Sequence, residues 1–250
     1  MTLGPATGGY LAKDLGLRYV FVISGTLLVA VALLALLVLP QSPPRHKTDP
    51  HAVLASSFEL LRNRRLLACL LATVGSCIGF GVFLTFIPLY AAQHGYDPAQ
   101  VGLVFASQAF TNVIGRVPIG SFADRVDRRL IVAVGLICLA VALAAMGQFV
   151  QLVQLMACAV VMGVGMALTF TAIGALIAEL VPAVQRGLAM GMYNSCVYLG
   201  MMAGSAVMGL ALKWIGYPIG FAAAGSMALI TLLFFLLMMR ENKVQQALQA

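Results

Sequence analysis

Apolar residues run almost without interruption through seven stretches of the chain, at positions 19–39, 66–91, 98–122, 130–150, 152–181, 187–212 and 218–239. Each is close to or above the roughly 20 residues that a helix needs to cross about 30 Å of hydrocarbon. Apolar residues cover every side of these segments rather than one stripe, which suits lipid better than a soluble core. Helices also bond their own backbone groups, so they satisfy those groups where no water is present. The expected fold is an all-α, polytopic membrane helical bundle.

Polar and small residues are distributed unevenly among the seven spans, with a period of three. The first, fourth and seventh carry little beyond Ser24 and Thr26, Gly135 and Cys138, and Ser226 and Thr231. The two pairs between them hold nearly all the amides, tyrosines and glycines. Because polar groups in a membrane face a bundle interior or a wet cavity, every third helix is expected to be peripheral. Within the other four, Gln108 and Asn112 stand one turn apart, with Phe105 before and Arg116 after on the same side. Asn194 and Tyr198 repeat that spacing. Phe83, Phe86 and Tyr90 form an aromatic stripe, and Met162, Met166 and Thr169 a soft one. Aromatic and methionine side chains can re-pack around varied apolar ligands, so Gln108, Asn112, Asn194 and Tyr198 with these two stripes, ten residues in all, are the candidate lining of a substrate cavity. Gly187, Gly191 and Ser195, followed by Gly200 and Gly204, recur at four-residue spacing and predict close helix approach.

Charge orients the bundle. Arg45, Lys47, Arg62, Arg64, Arg65, Arg125, Arg128, Arg129, Arg186, Arg240 and Lys243 fall on one side of the spans, against Lys13, Arg18 and Lys213 on the other. Retained basic loops mark the cytoplasmic face, which places loop 40–65 and the C-terminus in the cytoplasm. This bias produces most of the net charge of +7, and its scatter over several loops does not make a nucleic-acid footprint. All eight Asp and Glu lie in loops or at span ends, so the chain supplies no mid-membrane carboxylate for proton coupling. His46, His51 and His94 are scattered in loops, the five cysteines lie within spans with no metal-like spacing, and no hydrolase or nucleotide-binding motif is present. An enzyme, a metal site and a cofactor are not expected.

Local chemistry punctuates the loops. Asp97, Pro98 and Gln100 make a capping box with proline at the first helical position, which predicts a sharp start for the third span. Loop 40–65, with Pro43, Pro44 and Pro50 before an amphipathic stretch of Phe58, Leu61 and basic residues, is expected to link two bundles. Residues 1–11 are apolar and glycine-rich but only half a span long. Two motifs remain. Gly120, Asp124, Arg125, Arg128 and Arg129 occupy the short basic loop after the third span, and Gly4, Pro5, Gly8 and Gly9 stand near the start.

On these residues the sequence resembles the major facilitator superfamily, in particular its drug/proton antiporter type of twelve-helix transporter. In that family a G-x3-D-R-x-G-R-R loop follows the second helix and recurs after the eighth. A GPxxGG signature in the fifth helix is associated with antiporters. The resemblance implies that residues 1–39 are the end of helix five and all of helix six. Residues 40–65 would be the central cytoplasmic linker, 66–240 the C-terminal six-helix transport bundle, and 241–250 a cytoplasmic tail. Asp127 stands where the loop motif usually has glycine. The implied activity is secondary transport across the inner membrane, as efflux or antiport of a small organic substrate or drug, in truncated form. A non-transporting assembly subunit or inactive remnant is the alternative. The implied partners are the lipid bilayer, a small-molecule substrate, and the missing N-terminal half or a second copy.

Overall fold

The computed structural model describes residues 16–38, 50–123 and 126–239. Gly4, Pro5, Gly8, Gly9, Asp124, Arg125, residues 40–49 of the expected linker and the expected tail lie outside the described residues. Every regular element among the described residues is helical, so the protein is all-α. In order these are α1 (Leu17–Val38), α2 (Pro50–Arg62), α3 (Arg64–Gln93), α4 (Pro98–Ala123), α5 (Arg128–Met146), α6 (Leu152–Leu180), a short 3-10 turn (Ala183–Gln185) and α7 (Arg186–Met239).

Side-chain caps set several of the boundaries. Asn63 Oδ1 accepts from the backbone N–H of Arg65 at 3.1 Å and of Leu66 at 3.3 Å, so α3 begins at once after α2. The capping box ahead of α4 forms as expected: Gln100 N–H donates to Asp97 Oδ1 at 2.8 Å, and Asp97 N–H donates to Gln100 Oε1 at 2.9 Å. Asp127 caps α5 by accepting from Arg129 N–H at 2.9 Å. The aspartate that replaces the motif's usual glycine thus begins a helix, and its φ of −56° needs no glycine.

The last two expected spans are joined more tightly than predicted. In place of a loop over 213–217, α7 runs helical to a single break at Gly216, whose φ of 69° and ψ of 173° reverse the chain immediately before Tyr217 and Pro218. Positive φ suits glycine, and proline at 218 brings a fixed φ and no N–H to the restart. The two arms fold back on one another, because Met208 of the first meets Gly220 of the second. On a straight helix those residues would stand about 18 Å apart.

Five described segments are long and apolar enough to cross a membrane, the last of them the folded Ala183–Met239. The 26 residues of α4 suffice in length, but Gln108, Asn112 and Arg116 lower the helix's hydropathy. The helices are nonetheless arranged as one bundle in which α3 packs chiefly on α7, α4 on α6, and α5 behind both α6 and α7. Missing side chains bring the backbones together. A Cβ at Gly200 would stand 2.5 Å from the Val74 carbonyl oxygen, and one at Gly204 would run into the Ile78 backbone. Across α4 and α6, a Cβ at Gly163 would lie 2.5 Å from the Gln108 carbonyl oxygen. The expected four-residue glycine repeat therefore packs at Gly200 and Gly204, whereas Gly187 and Gly191 face open space.

Helix α1 buries none of its described side chains, and Phe21 and Leu37 are 75% and 84% exposed. Helix α5 buries Leu136, Leu139 and Leu143 against its neighbours and turns Val134, Ile137 and Val141 outward. Such outward apolar faces, continued by Val153 and Leu210, are suited to lipid.

Candidate functional site

Between the α3/α7 pair and the α4/α6 pair lies a cavity of about 480 Å³. All of its lining residues come from α3, α4, α6 and the first arm of α7; α5 and the second arm contribute none. These are the four helices in which the polar residues are concentrated. Gln108, Asn112, Arg116, Tyr193 and Asn194 make its polar side, and Phe80, Val113, Met166, Phe170 and Val197 its apolar one. At about 1.5 Å rise per residue, Arg116 stands roughly 10 Å and Asn194 roughly 12 Å from the basic ends of their helices, while Phe80 is roughly 24 Å in. The cavity therefore occupies the middle of the bundle and its basic half.

Hydrogen bonds set the orientation of the polar groups. Arg116 Nε donates to Asn112 Oδ1 at 3.0 Å, one turn away on the same face. Gln108 Nε2 donates to the Met166 sulfur at 3.2 Å, tying α4 to α6, and Asn194 Nδ2 donates to the Met190 carbonyl at 3.1 Å. The Phe170 and Tyr193 rings meet edge-on, their centroids 6.2 Å apart, joining α6 to α7.

Of the ten expected lining residues, Gln108, Asn112, Met166 and Asn194 border the cavity. The other six do not. Phe83 is fully buried against Phe105, with ring centroids 5.1 Å apart, and Phe86 is packed in the core. Met162 is fully buried between helices. Thr169 is buried where α6 crosses Gly135 of α5, and its hydroxyl has no hydrogen-bond partner among the described residues. Tyr198 is 68% exposed on the outside of α7, because the cavity face is centred on Tyr193, Asn194 and Val197 rather than on the four-residue step from 194 to 198. Tyr90 closes the sparsely basic end instead. Its hydroxyl donates to the Phe149 carbonyl at 3.2 Å, and its ring meets those of His94 and Tyr217 at a tilt and that of Phe221 edge-on. Beside it the Tyr96 hydroxyl donates to the Val150 carbonyl at 2.5 Å, completing an aromatic seal of the sort that sits at a membrane interface.

The aromatic lining residues that pattern reading passed over are Phe80, Phe170 and Tyr193. Phe80 continues the stripe of Phe83 one turn toward the basic side, and Tyr193 adjoins Asn194, so both signals were present within one turn. Arg116 carried a stronger signal, since it is a charge within a span.

One arginine of the loop motif is paired across the bundle. Arg128 makes an ion pair with Glu179 at the end of α6, in addition to any approach to headgroups. This contact and the bond from Arg64 Nη2 to the Leu237 carbonyl at 3.2 Å fasten helix ends together on the basic side. Gly120 has open space beside it. Among the described residues Glu59, Asp97, Asp127 and Glu179 are the carboxylates, and none lines the cavity.

Comparison with known proteins agrees with this architecture. A model of the Major Facilitator Superfamily matches residues 1–97 and 69–250, together the whole chain. The chain is 30% identical over 163 residues to the MFS-type transporter YhhS of Escherichia coli (strain K12), covering 62% of this chain and 38% of that protein. It is 21% identical over 198 residues to the staphylopine export protein of Staphylococcus aureus (strain Mu50 / ATCC 700699), covering 78% of this chain and 49% of the relative. The chain thus spans half or less of the length of these relatives. A family match over all 250 residues, joined to a bundle of membrane-length helices around a shared cavity, makes the chain a multi-pass membrane protein of the major facilitator superfamily.

Proposed function

We propose that this chain supplies one half of a secondary transporter that exports a small organic molecule, and that the cavity between the α3/α7 and α4/α6 pairs is its share of the substrate site. The observation that carries this reading is the cavity's composition. It is a space of about 480 Å³ in which amides, a phenol and a guanidinium face aromatic and methionine side chains. Small-molecule sites in proteins have this size and this mixture of a few polar groups with an apolar wall. Transporters of this architecture bind at the midplane between two repeat-related halves. A second half, from an N-terminal segment or a second copy, would close the open side. The name of the staphylopine relative describes export, which supports an outward direction. No carboxylate among the described residues lines the cavity, so the coupling group, where the driving ion is a proton, is proposed to lie in that other half.

Replacing Asn112 or Asn194 by leucine in a transport-competent assembly should change the range or affinity of exported compounds by about tenfold while membrane insertion stays normal, since each loses a cavity-facing amide. Transport of a compound panel measured in proteoliposomes checks this. Unaltered transport by both variants would return the residues to helix packing and move the substrate site out of this cavity.

The basic side is proposed to be cytoplasmic and the membrane to be the inner one. In intact cells, cysteine at Gln93, next to the aromatic seal, should react with an impermeant thiol reagent, and cysteine at Val184, which is 96% exposed in the basic turn, should react only after permeabilisation. The opposite pattern would invert the bundle.

A further inference from the structure

We infer that the molecule held in this cavity carries an anionic group, a carboxylate or a phosphate, and that Arg116 binds it. The inference rests on the reading of the cavity as a substrate site and adds the chemical class of what enters it. Among the described residues Arg116 is the one charged side chain lining the cavity. Placing a guanidinium at this depth is costly unless a wet space or an anion receives it. The arginine is also held in position. Its Nε is committed to Asn112 Oδ1 at 3.0 Å, which fixes the guanidinium plane and leaves the two terminal nitrogens without a hydrogen-bond partner among the described residues. That end of a guanidinium presents parallel N–H groups that match the two oxygens of a carboxylate or phosphate.

Other features of the cavity point the same way. The Asn194 and Asn112 amides and the Tyr193 hydroxyl bring further donors to the same space. None of the described carboxylates lines the cavity to neutralise Arg116, so among the described residues a cationic compound meets repulsion there and an anionic one attraction. Phe80, Met166 and Phe170 opposite would take an apolar body. The preferred occupant is therefore an amphiphilic organic anion rather than an organic cation. The same headgroup chemistry is offered by acidic lipids, and the experiment separates the two sources.

Dansylglycine and its neutral amide, dansylglycinamide, differ only in the carboxylate. With the full chain in phosphatidylcholine nanodiscs, fluorescence titration should show dansylglycine binding at least about tenfold more tightly than the amide, as expected for a charge-assisted bond. Arg116→Gln should bring the two within about twofold of one another, and Arg116→Lys should keep part of the preference. Ala109→Trp, which fills the cavity, should abolish binding of both probes. Absence of Arg116-dependent dansylglycine binding overturns the inference whatever the amide does. If the amide still binds and Ala109→Trp removes that binding, the cavity reading survives; if neither probe binds, both fall. Repeating the titration in phosphatidylglycerol nanodiscs should leave the preference in place. Its disappearance there would assign Arg116 to a lipid headgroup and overturn the anion as cargo.

Discussion

Leucine in place of Gly204 should destabilise the bundle by about 3 kcal/mol or prevent its assembly, since inserted methylenes in a tight contact force backbone shifts. The reason is local. At this crossing the first arm of α7 lies directly on α3, and a Cβ at Gly204 would come within 2.9 Å of the Ile78 carbonyl carbon and 3.0 Å of its Cα. Backbone atoms of a 30-residue helix cannot turn aside as the end of a flexible side chain can. In a membrane, such contacts matter more than in water, because lipid offers apolar side chains no worse an environment and close packing does the holding. Gly191 supplies the control on the same helix. It has open space beside it, so Gly191→Leu should change stability by no more than about 0.5 kcal/mol. Thermal unfolding of the two purified variants in nanodiscs checks the contrast. Equal melting would mean that α7 is not seated on α3 in this way.

The glycine pair illustrates what the sequence made legible. A four-residue repeat of small side chains announces a helix contact, but five positions in the series cannot say which two face the partner. Gly200 and Gly204 do, and Gly187 and Gly191 do not, because the outcome depends on where α3 lies. Helix starts were readable wherever the cap was local, as at Asp97 and Gln100. Ends were harder. The fourth span was expected to run to residue 150, but α5 stops at Met146, where Gly147 and Gln148 turn the chain. A break was legible over 213–217 and falls at Gly216, but its tightness was not, because Trp214 and Ile215 stay helical up to it.

For the candidate site, legibility followed chemical rarity. Gln108 and Asn112 are amides on an apolar helix, so there was little else for them to do, and they border the cavity. Phe83, Phe86 and Met162 belong to residue types that fill helix interfaces as readily as cavities, and here they fill interfaces. Tyr198 failed by one angular step on α7. The partnership of Arg128 with Glu179 could not be read at all, since 51 positions separate them and only the meeting of α5 with the end of α6 joins them.

The account stands or falls on whether the four-helix cavity is a water-filled chamber that takes a ligand. Thiols react as thiolates, and a thiol facing hydrocarbon scarcely ionises. Cysteine placed at Asn194 or Ala109, with Cys138 and Cys196 replaced by alanine, should therefore react readily with a small sulfonate-bearing methanethiosulfonate in membranes opened to both sides. Cysteine at Leu210, 79% exposed on the outer surface of α7, should react on the order of 100-fold more slowly, each unit of raised pKa costing about tenfold in thiolate. Dansylglycine should slow the first two reactions and leave the third alone. Comparable rates at Asn194 and Leu210, with no protection by the ligand, would contradict the account.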